Sequence, residues 1–390
     1  MRKFSAALLA AVLVLLAAPG STVAIGNAEP GTTARVVTAR AAGAPQKIFG
    51  PSGDVDSVYS TVRDAKGRLH GYLSNYTAYW FDQRANGSLT NRRVMLQRGR
   101  RGAIDQCGVH PAGTIYKASR THWITFYHAE KGAPADHGTC NHSNRHTRWS
   151  IVKMETFNGG RSWVKRGQVI TQDRSLMKTA AGGWSYNTDD AGSPRLVVHD
   201  GFMYLFFRAT NRPRSDHDQT MNVARAPLKS LGRPGAWKKY FEATPPLPGT
   251  PVPATSWSEP GLGGRSSELP PALGQKEPLS GQARGISFNS HLNKWLAVEV
   301  GIEGITLYQS TDLLHWEFLD QPWKTGLTES AWHQPCGRRG LPVAYGYGAI
   351  VGLNGASDKS GQSFWVYYMK KPAGKCFDSR FLYRRKVTLP

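Results

Sequence analysis

The sequence predicts an all-β fold made of repeated hairpins arranged radially, as in a β-propeller. The clearest hairpin is Arg195–Arg208, in which two runs of apolar, β-branched and aromatic residues flank Asp200-Gly201. That dipeptide accepts the two positive φ angles of a tight type I′ turn. Looser copies recur at 58–74, 114–128, 285–300 and 346–369. Because no helical segments separate these hairpins, we expect sheets around a central axis, with a ligand site where the innermost strands converge.

The N-terminus is typical of a secretory signal peptide, predicted over residues 1–24. Arg2 and Lys3 precede the apolar run Ala6–Ala18, and Thr22-Val23-Ala24 offers small residues for cleavage. A membrane anchor would need roughly 18–20 continuous apolar residues, and Pro19-Gly20 ends this run too early. We therefore expect a secreted, extracellular protein.

The next segment, residues 25–46, is rich in Ala, Gly, Thr and Pro and lacks an apolar period, which predicts a flexible N-terminal segment. Residues 47–390 are sufficient for one large β-domain. The Pro- and Gly-rich stretch Thr244–Glu277 lies between two hairpins and is interpreted as a long loop between blades. We therefore predict a single domain after the N-terminal segments.

Four cysteines in an exported chain indicate two disulfides, for which three pairings exist. Proximity in sequence favours Cys107–Cys140 and Cys336–Cys376. The alternative is a metal site, whose candidate ligands are His137, Cys140, His142 and His146. No second Cys lies at the C-x₂₋₄-C spacing typical of zinc sites, so we expect no metal and no cofactor.

The chain is strongly basic, with a formal charge of +22. Removing Arg2 and Lys3 from 49 basic residues leaves 47 against 27 acidic ones, near +20. Such a field favours anionic partners, among them acidic polysaccharides. The basic residues are scattered and no nucleic-acid-binding module is evident, so we expect neither a nucleic-acid nor a membrane partner. The expected partner is a polysaccharide or oligosaccharide, and the expected state is a monomer.

Three turns carry a recurring signature. Thr156–Trp163 fits the pattern S/T-x-D/N-x-G-x-S/T-W, which resembles the Asp-box of sialidase-type propellers. Ser310–Glu317 is a related turn, and Ser230–Trp237 is a weaker one. An Asn or Asp side chain bonds backbone N–H groups across such a turn while the Trp packs between sheets. We interpret these residues as structural and not catalytic.

The hairpins and turns together predict five blades, with approximate limits 55–96, 108–170, 193–241, 284–323 and 345–389. This arrangement, with Trp237–Tyr240 and Pro260–Gly264, resembles the five-bladed propeller glycoside hydrolases of the arabinanase, β-xylosidase and β-fructosidase type. The resemblance spans nearly the whole mature chain but includes no complete catalytic signature. It implies carboxylate residues at the start of inner strands, facing the central funnel.

In blade one, the resemblance points to Asp56, which stands eight residues before the turn residue Asp64. Asp56 is the candidate base or nucleophile, and Asp54 lies two residues away on the same strand face. Capping of the strand entry is the structural alternative for both. In blade two, His110-Pro111 holds the equivalent place, where an imidazole would bind a sugar hydroxyl or titrate near neutral pH. The alternative is a loop histidine beside Cys107 without a functional role.

Blade three departs from the family, because Ser193-Pro194 stands where Asp-Pro is common. Asp189 and Asp190 lie just upstream, and adjacent acids raise one another's pKa when partly buried. Asp190 is a candidate acid or pKa partner, with a solvated loop as the alternative. Trp184 and Tyr186 are candidates for a sugar-stacking platform, with core packing as the alternative for Trp184.

Blade four begins Gln282-Ala283-Arg284, where the family has its acidic Glu. Glu268, in the preceding loop, is the candidate replacement. Arg195 and Arg284 hold matching places in blades three and four and are expected to point inward. Inward arginines indicate recognition of a carboxylate or phosphate, and the alternative is that they tune the pKa of a neighbouring Asp.

We therefore predict a secreted glycoside hydrolase that cleaves a polysaccharide, with arabinan or another furanoside as one candidate. The alternatives are a non-catalytic glycan-binding propeller, favoured by the missing acids of blades three and four, and a sialidase-like enzyme. The last lacks that family's first arginine motif and its sixth blade. Fold alone does not determine activity, so the three classes must be distinguished by the residues that face the funnel.

Overall fold

The computed structural model describes residues 38–132, 140, 147–173, 191–209, 220–243, 253–272, 274, 279–327 and 342–390. Within them, the strands form five sheets. Blade one contains β2 (Ser60–Arg63), β3 (Leu69–Ser74), β4 (Ala78–Gln83) and β5 (Leu89–Leu96). Blade two contains β6 (Gly108–Pro111), β7 (Tyr116–Lys117), β8 (Trp123–Gly132), β9 (Thr147–Thr156) and β10 (Val164–Ile170).

Blade three contains β11 (Ala191–His199), β12 (Phe202–Ala209), β13 (Thr220–Pro227), β14 (Lys238–Lys239) and β15 (Glu259–Pro260). Blade four contains β16 (Ala283–Asn289), β17 (Lys294–Gly301), β18 (Gly304–Ser310) and β19 (Glu317–Lys324), and β21 (Lys359–Ser360) pairs in parallel with β16. Blade five contains β20 (Ala344–Gly352), β22 (Ser363–Lys371), β23 (Phe381–Thr388) and β1 (Arg40–Phe49). Short 3₁₀ helices occupy Leu228–Ser230, Ala254–Ser256 and Phe377–Ser379. The predicted five-bladed propeller is confirmed.

The N-terminal strand corrects one prediction. Residues 40–46 were expected in the flexible segment, but they belong to β1, which pairs antiparallel with β23 from Arg40 opposite Thr388 to Phe49 opposite Leu382. The edge of β23 offers unpaired backbone groups, and β1 satisfies them although its own sequence has no alternating pattern. The beginning of the domain thus completes the blade formed by its end.

Hydrophobic clusters lie between neighbouring blades and continue around the ring. Five such clusters occur in the described part of the chain. Representative buried contacts join Trp80 to Trp163, Phe126 to Trp237, Phe206 to Trp316, and Tyr59 to Tyr367. Because each sheet buries both faces against its neighbours, the inner strands are held rigidly around the axis.

The three signature turns have the predicted structural role. Asn158 Oδ1 accepts hydrogen bonds from the backbone N–H groups of Arg161 and Ser162, at 3.1 and 3.0 Å. Asp312 Oδ1 accepts the equivalent bonds from Leu314 and His315, both at 2.9 Å. The three tryptophans that follow these turns are all buried: Trp163, Trp237 and Trp316.

The Cys107–Cys140 disulfide is present, as predicted. Cys336 lies outside the described residues, so its pairing with Cys376 stays a prediction. The alternative metal ligands His137, His142 and His146 also lie outside them. In the described ranges, none of the helices has the length and apolar character needed to cross a membrane.

Candidate active site

A cavity of about 70 Å³ opens where the five inner strands converge. Every blade contributes a polar side chain to its wall: Asp56, His110, Arg195, Arg284 and Tyr347. The sequence predicts four of these five, all but Tyr347, and each of the four lies in or just before an inner strand. Convergence of the inner strands therefore concentrates the polar side chains of the fold at one point.

Asp56 enters the cavity from the segment before β2. Its Oδ1 accepts a hydrogen bond from the Tyr347 hydroxyl at 2.7 Å and forms an ion pair with Arg380 Nη1. Arg380 also donates to the carbonyl of Gly53 at 2.7 Å, which fixes the chain just before Asp56. No described residue bonds Oδ2, and a quarter of the Asp56 side chain is exposed. The carboxylate is therefore held by one oxygen while the other is available to a ligand.

Blade two places two histidines around one glutamate. In the β6–β8 pairing Gly108 lies opposite Glu130, and His110 lies opposite His128. Glu130 Oε1 is 3.6 Å from His110 Nε2 and 3.7 Å from His128 Nε2. A side chain at position 108 would clash with His110 and Glu130, so glycine leaves room for this cluster.

The two histidines have opposite pKa shifts. Burial opposes the charged form of His110, but attraction from Glu130 and Asp56 outweighs it and raises the pKa above its usual value. Burial lowers the pKa of His128 far below its usual value, with repulsion from His110 and nearby arginines acting in the same direction. At neutral pH His128 is therefore neutral, whereas the neighbouring His110 is protonated more readily than an ordinary histidine.

Arginines also line the cavity. Arg195 and Arg284 are only 2% and 4% exposed, and Arg208 joins them from β12. Arg195 Nη1 donates to the carbonyls of Ser193 and Pro194, at 2.8 and 2.5 Å. Burial and repulsion from Arg284 lower the pKa of Arg195 well below its usual value. Three guanidinium groups, those of Arg195, Arg208 and Arg284, thus line one cavity.

Two inner strands are irregular at the cavity. Ser193 in β11 and Tyr347 in β20 have φ angles of 53° and 55°, unusual for residues other than glycine. Each lies within a register shift, between Gly192 and Arg195 or between Gly346 and Ala349. Such bulges redirect side chains, and local strain of this kind clusters at functional sites.

Two predicted residues lie elsewhere. Asp54 forms an ion pair with Arg92 at 2.8 Å and does not line the cavity. It lies in a turn at residues 53–54, before the bridge that pairs Val55 with Ser74. Glu268 lies in the loop before β16 and is also absent from the wall of the cavity. Trp184, Tyr186, Asp189 and Asp190 lie outside the described residues, so their roles stay predictions.

Three functional candidates were missed from sequence: Glu130, Tyr347 and Arg380. Glu130 follows His128 by two residues and so shares its strand face, a pattern that places it opposite Gly108 once the β6–β8 register is known. Tyr347 depends on a bulge, and Arg380 reaches Asp56 across 324 positions. Neither residue has a local sequence signal.

The fold is similar to that of solved glycoside hydrolases. One is Zg3597, a family 117 glycoside hydrolase of the marine bacterium Zobellia galactanivorans, at 11% identity and TM-score 0.50, covering 90% of each chain. Another is the catalytic domain of the Coprinopsis cinerea GH62 α-L-arabinofuranosidase, at 11% identity and TM-score 0.45, covering 91% of this chain and 97% of that one. The sequence matches no protein-family model and no curated protein. The predicted resemblance is thus confirmed for the fold.

Proposed function

We propose that the protein is a secreted glycoside hydrolase that cleaves a glycosidic bond in the central cavity. The observation that carries the proposal is that Asp56 and His110, a proton acceptor and a candidate proton donor, line the same cavity. The fold shared with a family 117 glycoside hydrolase agrees with it. The Cys107–Cys140 disulfide supports an oxidising, extracellular location.

Cleavage requires a proton for the leaving oxygen and a group that assists attack on the anomeric carbon. Protonated His110, positioned by Glu130, donates its proton to the leaving oxygen as the C–O bond breaks. Asp56 then acts as base, taking a proton from the attacking water, or as nucleophile. In this mechanism a histidine that lies beside a carboxylate is the proton donor, in place of a second carboxylic acid.

The test is a screen for reducing-end release from arabinans, xylans, fructans and acidic glycans. Asp56→Asn is expected to lower the rate by about 10²–10⁴-fold, because it removes the group that accepts the proton. Asp200→Asn is the matched control, since Asp200 lies in an exposed turn at φ 45°, which Asn also tolerates. Equal activity of Asp56→Asn and the wild type would contradict the assignment.

The pH profile tests the acid. The pKa of His110 is raised above 6.5, so activity that needs its proton falls as the pH rises through that raised value. His110→Gln is expected to lose this alkaline limb together with about 10²-fold of rate. A limb that persists in His110→Gln would assign the acid to another group. The anomeric configuration of the first product, followed by NMR, distinguishes base from nucleophile.

Ser193 supports a second candidate function, a glycan-binding propeller without catalysis. It lines the cavity at the position where related enzymes commonly carry Asp. Retention of a glycan in an affinity gel, with no release of reducing ends from any substrate, would favour this function over hydrolysis.

A further inference from the structure

We propose that Arg195 and Arg284 form a binding site for an oxyanion, so that the saccharide taken by the cavity carries a carboxylate, sulfate or phosphate substituent. The inference rests on the proposed function, because it names the class of saccharide bound at the same site. It goes further by separating an anion-recognition wall from the wall that carries Asp56 and His110.

Unsatisfied donors are the first line of support. Arg195 is almost completely buried, and neither its Nε nor its Nη2 has a hydrogen-bond partner among the described residues. The Nε of Arg284 also has none there, while its Nη2 donates to Gln282 Oε1 at 2.6 Å. A buried guanidinium with free donors is costly, and a carboxylate, sulfate or phosphate presents a pair of oxygens that matches its fork of N–H groups.

Missing countercharge is the second line of support. Within the described ranges, no acidic side chain forms an ion pair with Arg195 or Arg284, whereas Asp56 is engaged by Arg380. Glu299 attracts Arg284 electrostatically, but its oxygens bond Tyr308 and Ser280, at 3.2 and 3.4 Å. The two arginines therefore keep positive charge that a bound anion would neutralise.

Preorganisation is the third line of support. The Arg284 guanidinium stacks over the Tyr347 ring at 4.6 Å, and two carbonyls anchor Arg195 Nη1. Both arginines line the main cavity and also a smaller one of about 10 Å³ beside it, so they form the boundary between the two. Their position is fixed before a ligand arrives, which lowers the entropic cost of binding.

Binding is measured by calorimetry on Asp56→Asn, so that turnover does not interfere. The probes are inorganic sulfate, inorganic phosphate as the phosphate arm, oligogalacturonate as the carboxylate arm, a sulfated galactan oligosaccharide as the sulfate arm, and a neutral arabino-oligosaccharide. We expect an acidic saccharide to bind more tightly than the neutral one. In this background, Arg195→Gln or Arg284→Gln is expected to weaken its binding about ten- to hundredfold, because each removes charge-assisted hydrogen bonds. The arm that shows this loss identifies the oxyanion.

Arg161→Gln is the matched control, because it removes the same charge from an exposed turn residue. If a glutamine variant fails to fold, Arg284→Lys replaces it, and we expect the point charge to recover only part of the affinity. Equal binding of acidic and neutral saccharides, or acidic binding unaffected by both arginine variants, would overturn the proposal.

The two proposals fail differently. Arginine-dependent binding of an acidic saccharide that the wild type does not cleave would leave the oxyanion site intact and refute hydrolysis of that saccharide. Asp56-dependent cleavage of a neutral glycan, with no arginine-dependent binding of any anionic probe, would leave hydrolysis intact and refute the oxyanion site.

Discussion

Two buried cationic positions in this propeller are treated in opposite ways. Lys239 in β14 is fully buried, and its ammonium donates to the carbonyls of Thr171 and Gly264 and, at 3.3 Å, to Gln172 Oε1. Three acceptors thus match three donors. Arg195 in the cavity is almost equally buried, yet only its Nη1 is bonded. A buried cation whose donors are all satisfied therefore stabilises the fold, whereas one with free donors is available to a ligand.

The largest effect on the free energy of unfolding is expected for replacement of Lys239. Lys239→Met keeps the side-chain length but leaves the carbonyls of Thr171 and Gly264 without their donor. We expect the free energy of unfolding to fall by about 3 kcal/mol, the scale for unpaired groups in a buried polar network. Urea denaturation measures this change.

Lys238→Met is the matched control, because Lys238 is adjacent in β14 but exposed. We expect Lys238→Met to change the free energy of unfolding by no more than about 0.5 kcal/mol, as ordinary surface substitutions do. If the two variants proved equally stable, the Lys239 network would not contribute to folding in the way proposed here.

The next effect is the pH dependence of the same network. Burial lowers the pKa of Lys239 to about 7, and attraction from Glu259 and Asp173 only partly opposes the shift. Below that value both the folded and the unfolded chain carry the proton. Above it the folded chain releases the proton while the unfolded chain keeps it up to about 10.5, so stability rises with pH in between.

We therefore expect the stability difference between the wild type and Lys239→Met to grow by about 1–2 kcal/mol from pH 7 to pH 9. Groups that titrate in both proteins cancel in this difference. A difference that stayed constant or shrank would mean that the three acceptors hold Lys239 charged in the folded state.

The two regions also differ in how far the sequence predicts them. The hairpin at Asp200-Gly201 and the turns at Asn158 and Asp312 are local, so residue identity and spacing are enough to predict them. The inward positions of Asp56, His110, Arg195 and Arg284 follow from the start of each inner strand, provided that the blade limits are right. The starts of the inner strands were predicted to within about five residues, because the apolar runs and turns mark them. Two outer strands were missed: β15 of blade three lies in the stretch expected to be a loop, and β1 of blade five precedes the predicted blades.

Other parts of the site depend on long-range geometry. Glu130 lies beside His110 only through the register of β6 and β8, and Arg380 meets Asp56 only because the last blade closes against the first. Asp54, two residues from Asp56, lies in a turn before the bridge at Val55 and forms its ion pair with Arg92. Side-chain alternation predicts a face only inside a regular strand, and residues 54–56 precede β2.

The smallest effect on the free energy of unfolding is expected for replacement of Arg195. Arg195→Met removes a buried cation that Arg284 repels, and the loss of this repulsion favours the folded state. The same substitution removes two hydrogen bonds, from Arg195 Nη1 to the carbonyls of Ser193 and Pro194, and their loss favours the unfolded state. Because Ser193 lines the cavity, water can replace the bond to its carbonyl. We expect these contributions to cancel to within about 1 kcal/mol of unfolding free energy, as often found when an unfavourable buried charge is replaced by an apolar side chain.

Urea denaturation of Arg195→Met beside Lys239→Met makes the comparison direct, since both replace a buried cation by the same apolar residue. A double variant Arg195→Met/Arg284→Met is expected to be less stable than the sum of the single effects, because each single substitution already relieves the repulsion between the two guanidinium groups. If Arg195→Met were as destabilising as Lys239→Met and the effects added, Arg195 would be a structural residue like Lys239.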